Sequence, residues 1–296
     1  MLSSLIRFGT STWAYAGWQG LVYTNSYPKG RFAQESLGEY ARYEYRGERL
    51  FRTVGLDQTF YRPPLPGQLA RYAEQLPPGF DMCSKVWQEL TVPQFASHPR
   101  YGAKAGRCNP RFLDVDLFIA EVLPSYLAEF KGHTGPFIFE FQRTGIEPTE
   151  FLSKLDRFFD RIPKDFSYGV EVRNSGFLNK GYFSLLAAHR VAHVYNHWTW
   201  MPPLKIQHQR LGQQFTASFV LIRLLTPLGV RYEDAVQRAK PYNRLVQVLP
   251  EMRADTLGLI HQAVEEQRRA YVLVNNRAEG SAPLTIQALV DELRSG

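Results

Sequence analysis

Two glutamates and two arginines stand in stretches of this chain that are otherwise apolar. Glu140 interrupts Pro136-Phe137-Ile138-Phe139-Glu140-Phe141-Gln142, Glu171 and Arg173 end the run that starts at Ser167, and Arg223 ends Phe219-Val220-Leu221-Ile222-Arg223. In an extended chain, alternate side chains share a face. Ile138, Glu140 and Gln142 then lie on one side, with three phenylalanines on the other. Gly169, Glu171 and Arg173 align in the same way, as do Phe219, Leu221 and Arg223. Three large aromatics suit packing under an outer layer of helices, which turns Glu140 inward. Charges buried together must be paired, so two carboxylates are expected beside two arginines. The chemistry such a set offers is proton transfer by Glu140 or Glu171, with Arg173 and Arg223 holding an anionic group bidentately. The alternative is an internal ion-pair network that fixes the fold and touches no ligand.

Further candidates lie where other apolar runs end. Trp13, in Ser11-Thr12-Trp13-Ala14-Tyr15-Ala16-Gly17-Trp18, offers a surface for a sugar, a base or another flat ligand, or else a core plug. Asp57 and Tyr61 follow Leu56, and Tyr61 can donate a hydrogen bond. Lys85 closes a run as a cation or base, or as half of a plain salt bridge. Asn275 and Asn276 follow Tyr271-Val272-Leu273-Val274. Asn275 shares the inner face with Tyr271 and Leu273 and is the better placed for a ligand. Asn276 faces outward and is expected to tie the turn through Gly280.

Other chemistries find less support. There is no G-x-S-x-G elbow and no P-loop. A retaining glycosidase needs two carboxylates facing one another about 5 Å apart, and these have arginines beside them. Cys83 sits inside an apolar run and reads as core. None of the seven histidines forms H-E-x-x-H, and His193 and His197, four apart on a strand, are separated by about 13 Å. No metal site and no cofactor are assigned. A divalent ion on Glu140, Glu171 and His197 is the weaker alternative.

These side chains require strands to carry them. Apolar runs are expected to form strands at Leu5 to Gly9, Leu50 to Leu56, Gly79 to Lys85, Pro136 to Gln142, Ser167 to Arg173, Val191 to Asn196, Ser218 to Leu225 and Tyr271 to Val274. Helices are expected between most of them, at Ala33 to Tyr43, Leu65 to Glu74, Val115 to Phe130, Thr149 to Arg161, Tyr182 to His189 and Asp255 to Arg268. Pro124 should interrupt the third. A last helical stripe runs through Ile286, Leu289, Val290 and Leu293. Eight β/α units predict an α/β fold, a single TIM-like (β/α)8 barrel domain over residues 1–296, whose final strand closes on the first. A doubly wound sheet would need a G-x-G-x-x-G after the first strand, which is absent. In a barrel, the ends of the strands carry the site.

Composition narrows the partners. The 296 residues are 44% hydrophobic and 21% charged, with no apolar run long enough to span a membrane. The start lacks the apolar region of a signal peptide, and two cysteines make no disulfide framework, so a cytoplasmic location is expected. Net charge is +7, but the basic residues are scattered, without a compact tract interleaved with aromatics. An anionic small molecule is therefore the expected partner, with nucleic acid left open and no oligomeric state implied.

Several segments together carry a resemblance. Phe8-Gly9-Thr10-Ser11-Thr12-Trp13, Asp57-Gln58-Thr59-Phe60-Tyr61-Arg62-Pro63-Pro64, Gly135-Pro136-Phe137-Ile138-Phe139-Glu140-Phe141, Glu171-Val172-Arg173-Asn174, Arg223, and above all Val274-Asn275-Asn276-Arg277-Ala278-Glu279-Gly280-Ser281-Ala282-Pro283 resemble the domain-of-unknown-function-72, or YecE-like, family over nearly the whole chain. The resemblance implies a TIM-barrel-like fold with a polar cleft at the strand C-termini. The chain departs from the family pattern where Gly55 and Asp57 take the places of a glutamate and an asparagine, and where Glu140-Phe141-Gln142 replaces a glutamine followed by Leu-Pro-Pro. It departs again at Arg223-Leu224-Leu225-Thr226 and Ser175-Gly176-Phe177. The functional expectation is an enzyme acting on a phosphate- or carboxylate-bearing ligand at the rim, hydrolysis of a phosphate ester being its sharpest form. A non-catalytic binding protein for a small anion or nucleic acid, using the same cleft, is the alternative.

Overall fold

All eight apolar runs form parallel strands of one sheet in the computed structural model of the chain, which describes residues 2–28, 30–143 and 145–295. They are β1 (Ile6–Thr10), β2 (Thr53–Leu56), β3 (Asp81–Lys85), β4 (Thr134–Phe141), β5 (Tyr168–Val172), β6 (Ala192–His197), β7 (Phe219–Leu224) and β8 (Arg269–Val274). Each strand from β2 to β8 pairs with the next, and β8 also pairs with β1 through Ile6↔Ala270 to Thr10↔Val274. With helices packed around it, this is a nearly closed TIM-like (β/α)8 barrel.

The remaining seam lies between β1 and β2. No ladder joins them among the described residues, but the Arg52 N–H donates to the Phe8 carbonyl at 2.9 Å. The buried Tyr40 hydroxyl accepts from the Thr10 N–H at 2.9 Å and lies 3.5 Å from the Thr53 carbonyl, bridging the two strands. Glycines allow this approach. A Cβ at Gly9 would stand 2.1 Å from the Thr53 carbonyl oxygen, and one at Gly55 2.8 Å from that of Ser11.

Period-two alternation splits the core into two layers, as the strands predict. Phe137, Phe139 and Phe141 face outward: between ring centroids, Phe139 lies 5.3 Å from Phe158 and Phe141 4.9 Å from Phe151 of the helix Pro148–Arg161, while Phe137 lies 4.7 Å from Tyr126. Inside the barrel, Cys83, Ile138, Val194, Leu221 and Leu273 form a separate apolar layer. Burying each such side chain contributes about 1.5–3 kcal/mol. The polar residues one step further along the strands therefore stand on a dry floor at the C-terminal end.

The helices depart from expectation in places. The segment from Ala33 to Tyr43 forms two short helices, Phe32–Glu35 and Leu37–Arg42, broken at Ser36. The Ser36 hydroxyl donates back to the Phe32 carbonyl at 2.7 Å, a local bond that competes with the helix. The segment around Pro124 is interrupted as predicted, by a π-helical turn at Phe118–Val122 that precedes Leu123–Glu129. Among the helices not foreseen are Leu204–Arg210 and Tyr232–Ala239. The second carries Glu233 and Asp234 in its first turn and Arg238 in its last, charges that favour the helix dipole and were the available signal.

Candidate functional site at the C-terminal rim

Register assembles the charged cluster. Glu140 on β4 stands opposite Glu171 on β5, and Arg223 on β7 stands opposite Asn196 on β6 and Leu273 on β8. Arg223 is 1% exposed and reaches three carboxylates: Glu171, with a very short contact, Glu140 at 3.2 Å and Asp57 at 3.3 Å. Arg173, just past β5, contacts Glu171 at 2.5 Å and Glu140 at 2.9 Å. Lys85, the last residue of β3, lies 2.8 Å from Glu140 and 3.9 Å from Asp57. Three acids thus meet three bases within one layer of the barrel.

The field in this layer keeps the charges in place. Burial pushes the Glu140 carboxyl upward, but Arg173, Lys85 and Arg223 outweigh it and hold its pKa well below the ordinary value. Burial likewise works against the Arg223 charge, and Glu171, Asp57 and Glu140 overcome it and raise its pKa. An acid so held is ionised at neutral pH and has little tendency to accept a proton. Glu140 lines the pocket above as an ion-paired carboxylate, and Glu171 is fully buried between the two arginines. Both glutamates are ion-paired with Arg173 and Arg223.

Above the cluster lies a pocket of about 380 Å³, lined by Asp57, Tyr61, Lys85, Glu140, Arg173, Arg223 and Asn275 among others. Among the described residues that line it, four carry a buried donor without an acceptor: Arg223 Nε, deep in the ionic layer, and Arg173 Nη1, Arg277 Nε and Ser11 Oγ. Arg277 was not singled out from the sequence. It follows β8 in the turn, with its guanidinium 4.6 Å from the Tyr232 ring centroid, and burial lowers its pKa. Among the described residues no carboxylate forms an ion pair with it. Trp198, also unforeseen, lies under the Arg173 guanidinium at 4.7 Å. Asp57 opens the turn Asp57–Phe60, and its side chain is the one carboxylate of the three that remains substantially open to the pocket, at 36%.

Of the further candidates, Trp13 and Asn276 stay clear of the pocket, Asn276 in the turn-tying place its outward face predicts. Trp13 is 2% exposed, donates to the Ala33 carbonyl at 2.9 Å and packs edge-on against Tyr72; it is core, because the loop after β1 folds inward under the first helices. Asn276 does not line the pocket. Its Oδ1 accepts from the Ala282 N–H at 2.9 Å and from Trp18 Nε1 at 3.3 Å, while its carbonyl accepts from the Gly280 N–H at 2.7 Å. It ties the turn to the last helix, Ala282–Ser295. Asn275 does line the pocket, and its Oδ1 accepts from the Arg277 N–H at 3.1 Å. The split has a measurable result. Asn276→Ala strands two buried donors and should lower stability by about 2 kcal/mol, whereas Asn275→Ala should change it by less than about 1 kcal/mol in urea denaturation.

The suggested carboxylate–histidine meeting does not form. His197 Nδ1 donates to the Thr226 carbonyl at 3.0 Å and is absent from the pocket wall. Among the described residues no group of three or more His, Cys, Asp or Glu side chains is disposed to hold a metal ion, and no helix is long and apolar enough to cross a membrane.

Comparison with known proteins agrees with this architecture. The family model described as "Protein of unknown function DUF72" matches residues 7–296. The chain is 29% identical over 177 residues to UPF0759 protein YecE of Escherichia coli K12, covering 60% of this chain and 52% of that protein, so that it spans about half the length of this relative. A crystal structure of a DUF72 family protein from Enterococcus faecalis superposes with a TM-score of 0.65 at 17% identity, covering 97% of this chain and 95% of that one. One from Thermotoga maritima superposes at 0.62 and 18% identity, covering 98% and 99%. At such identities the likeness is one of fold.

Proposed function

The chain belongs to the DUF72 family, and from the unpaired donors on its rim we propose that it binds the phosphate or carboxylate group of a small ligand there and hydrolyses a phosphate ester so held. The observation that carries this reading is the set Arg173 Nη1, Arg277 Nε and Ser11 Oγ, buried on one pocket wall without acceptors. Each such donor costs about 1–3 kcal/mol while unsatisfied. A tetrahedral oxyanion held there would offer acceptors to all three and would neutralise Arg277, which has no carboxylate ion pair among the described residues.

Roles follow from exposure. Arg277 and the free arm of Arg173 take phosphate oxygens, and Asn275 sets the position of Arg277. Asp57, open to the pocket yet oriented by Arg223 and Lys85, takes the proton of an attacking water. The water oxygen bonds to phosphorus, the ester P–O bond breaks, and the leaving oxygen collects a proton from solvent. Glu140 and Glu171 hold the arginines and transfer nothing. Their confinement in ion pairs also favours a second reading, a non-catalytic anion-binding protein.

Calorimetric titration with inorganic phosphate tests the shared part. Binding should weaken about tenfold or more in Arg277→Ala, and a wild-type protein that ignores millimolar phosphate would sink both readings. Turnover of p-nitrophenyl phosphate separates them. Loss of turnover in Asp57→Asn with phosphate binding retained supports the hydrolase, while binding without any wild-type turnover leaves the binding protein.

A further inference from the structure

Arginines and aromatics that are far apart in the chain meet at the rim. Of the eight cation–aromatic contacts among the described residues, six lie at the C-terminal end of the barrel. Three of these belong to the pocket already described, Lys85 over Phe60 at 5.1 Å, Arg173 over Trp198 at 4.7 Å and Arg277 over Tyr232 at 4.6 Å. Three more lie beyond it, two of them on arginines. Arg143, after β4, stands 5.6 Å from the ring centroid of Trp200, after β6, and Arg100 stands 4.6 Å from that of Tyr101 in the long loop after β3.

The two sets are connected. A second cavity of about 370 Å³ is lined by Arg100, Tyr101 and Arg143, and Gln142 lines both it and the rim pocket. Large aromatic faces stay open along this path: Tyr232 is 53% exposed, Trp200 50% and Tyr61 60%. A ligand that fills only the rim pocket leaves Arg143, Trp200, Arg100 and Tyr101 unused.

We infer that the two cavities form one trough for a single-stranded nucleic acid, with a backbone phosphate in the rim pocket and its neighbours along Arg143 and Arg100. The inference rests on the rim pocket being an anion site. Flat bases stack on aromatic rings and on guanidinium planes alike, and the alternation of the two supplies a seat for each base beside a charge for each phosphate. A duplex keeps its bases stacked on one another and would use only the charges. An acidic polysaccharide has carboxylates for the arginines but no flat face for a guanidinium that already covers a tryptophan.

The test is fluorescence anisotropy with a labelled oligothymidylate of about twelve nucleotides, alongside a duplex of equal length and a hyaluronate oligosaccharide. The variant is Arg143→Gln with Trp200→Ala; both residues are exposed and outside the rim pocket, so folding is not at stake. The oligothymidylate should bind more tightly than either competitor. The double variant should weaken it by about tenfold and lower the slope of log affinity against log salt by about 0.7, one phosphate contact. Its affinity for inorganic phosphate should not change. An oligothymidylate held no more tightly than inorganic phosphate, a duplex or glycan bound equally well, or a double variant that binds like the wild type would each overturn the inference. If inorganic phosphate binds throughout, only the trough is lost; if it does not bind either, the anion site falls with it.

Discussion

An Arg223→Met variant is expected to lose about 3–5 kcal/mol of stability, the range seen when one partner of a buried ion pair is removed. The wild-type layer balances Asp57, Glu140 and Glu171 against Lys85, Arg173 and Arg223. Methionine fills much of the same volume but leaves the fully buried Glu171 with Arg173 alone and gives the layer one surplus negative charge. Arg173→Lys should behave differently. Lysine keeps the charge beside Glu140, so the loss should stay near about 1 kcal/mol, yet it removes the second arm of the fork that faces the pocket and should abolish phosphate binding. Urea denaturation of both variants, with phosphate titration of the lysine one, reads the difference. A wild-type midpoint for Arg223→Met would mean that the ionic layer is not what holds this end of the barrel.

Lowering the pH from 7 to 5 should remove about 4 kcal/mol of stability, about 2 kcal/mol from each of two buried histidines. Burial lowers the pKa of His193 from 6.5 to about 3 and that of His197 to about 4. His193 is satisfied as the neutral ring: its Nε2–H donates to Gln207 Oε1 at 3.3 Å and its Nδ1 accepts from the Tyr182 hydroxyl at 3.1 Å. Folded-state values lie below the unfolded ones, so the unfolded chain binds more protons at pH 5. The stabilisation is complete above about pH 6.5 and is lost as pH falls toward the folded values. Glu140 acts in the same direction but only below the ordinary carboxylate range, because its pKa too is depressed on folding. Denaturant midpoints at pH 7.5, 6 and 5 measure the slope. His193→Gln should roughly halve it whatever that change does to absolute stability, and a flat profile in the wild-type protein would refute the assignment.

The barrel was legible because each strand is a short apolar run with its own turn residues, and a period of two reports the face directly. The same period placed Glu140, Glu171, Arg173 and Arg223 in one layer, and their pairing in space follows from it. What alternation does not carry is what lies past the strand ends. Trp13 and Trp18 belong to a loop whose rings could equally line a mouth or fill a core, and the inward fold of that loop decided for the core. Arg277 sits in a charged turn and looks like any solvated arginine; only the Tyr232 ring over it and the missing carboxylate distinguish it. Scattered basic residues gave no tract in the chain, since the residues that gather them, Trp198, Trp200 and Tyr232, lie on other loops. The glycine at 55, which departs from the family pattern, has a local reason: a side chain there would press on the Ser11 carbonyl.

The position of β8 between β1 and β7 governs when the molecule becomes competent. Of the eight strands it is the last to leave the ribosome, and until it arrives β1 has no strand ladder among the described residues, being tied to the sheet by the Arg52–Phe8 bond, the Tyr40 bridge and the contacts of Arg7 with Asp81 and the Gly79 carbonyl. Asn275 and Arg277 come out directly behind it. The pocket wall is therefore completed by the same event that closes the barrel, and a bound anion can stabilise only chains that have already reached that point.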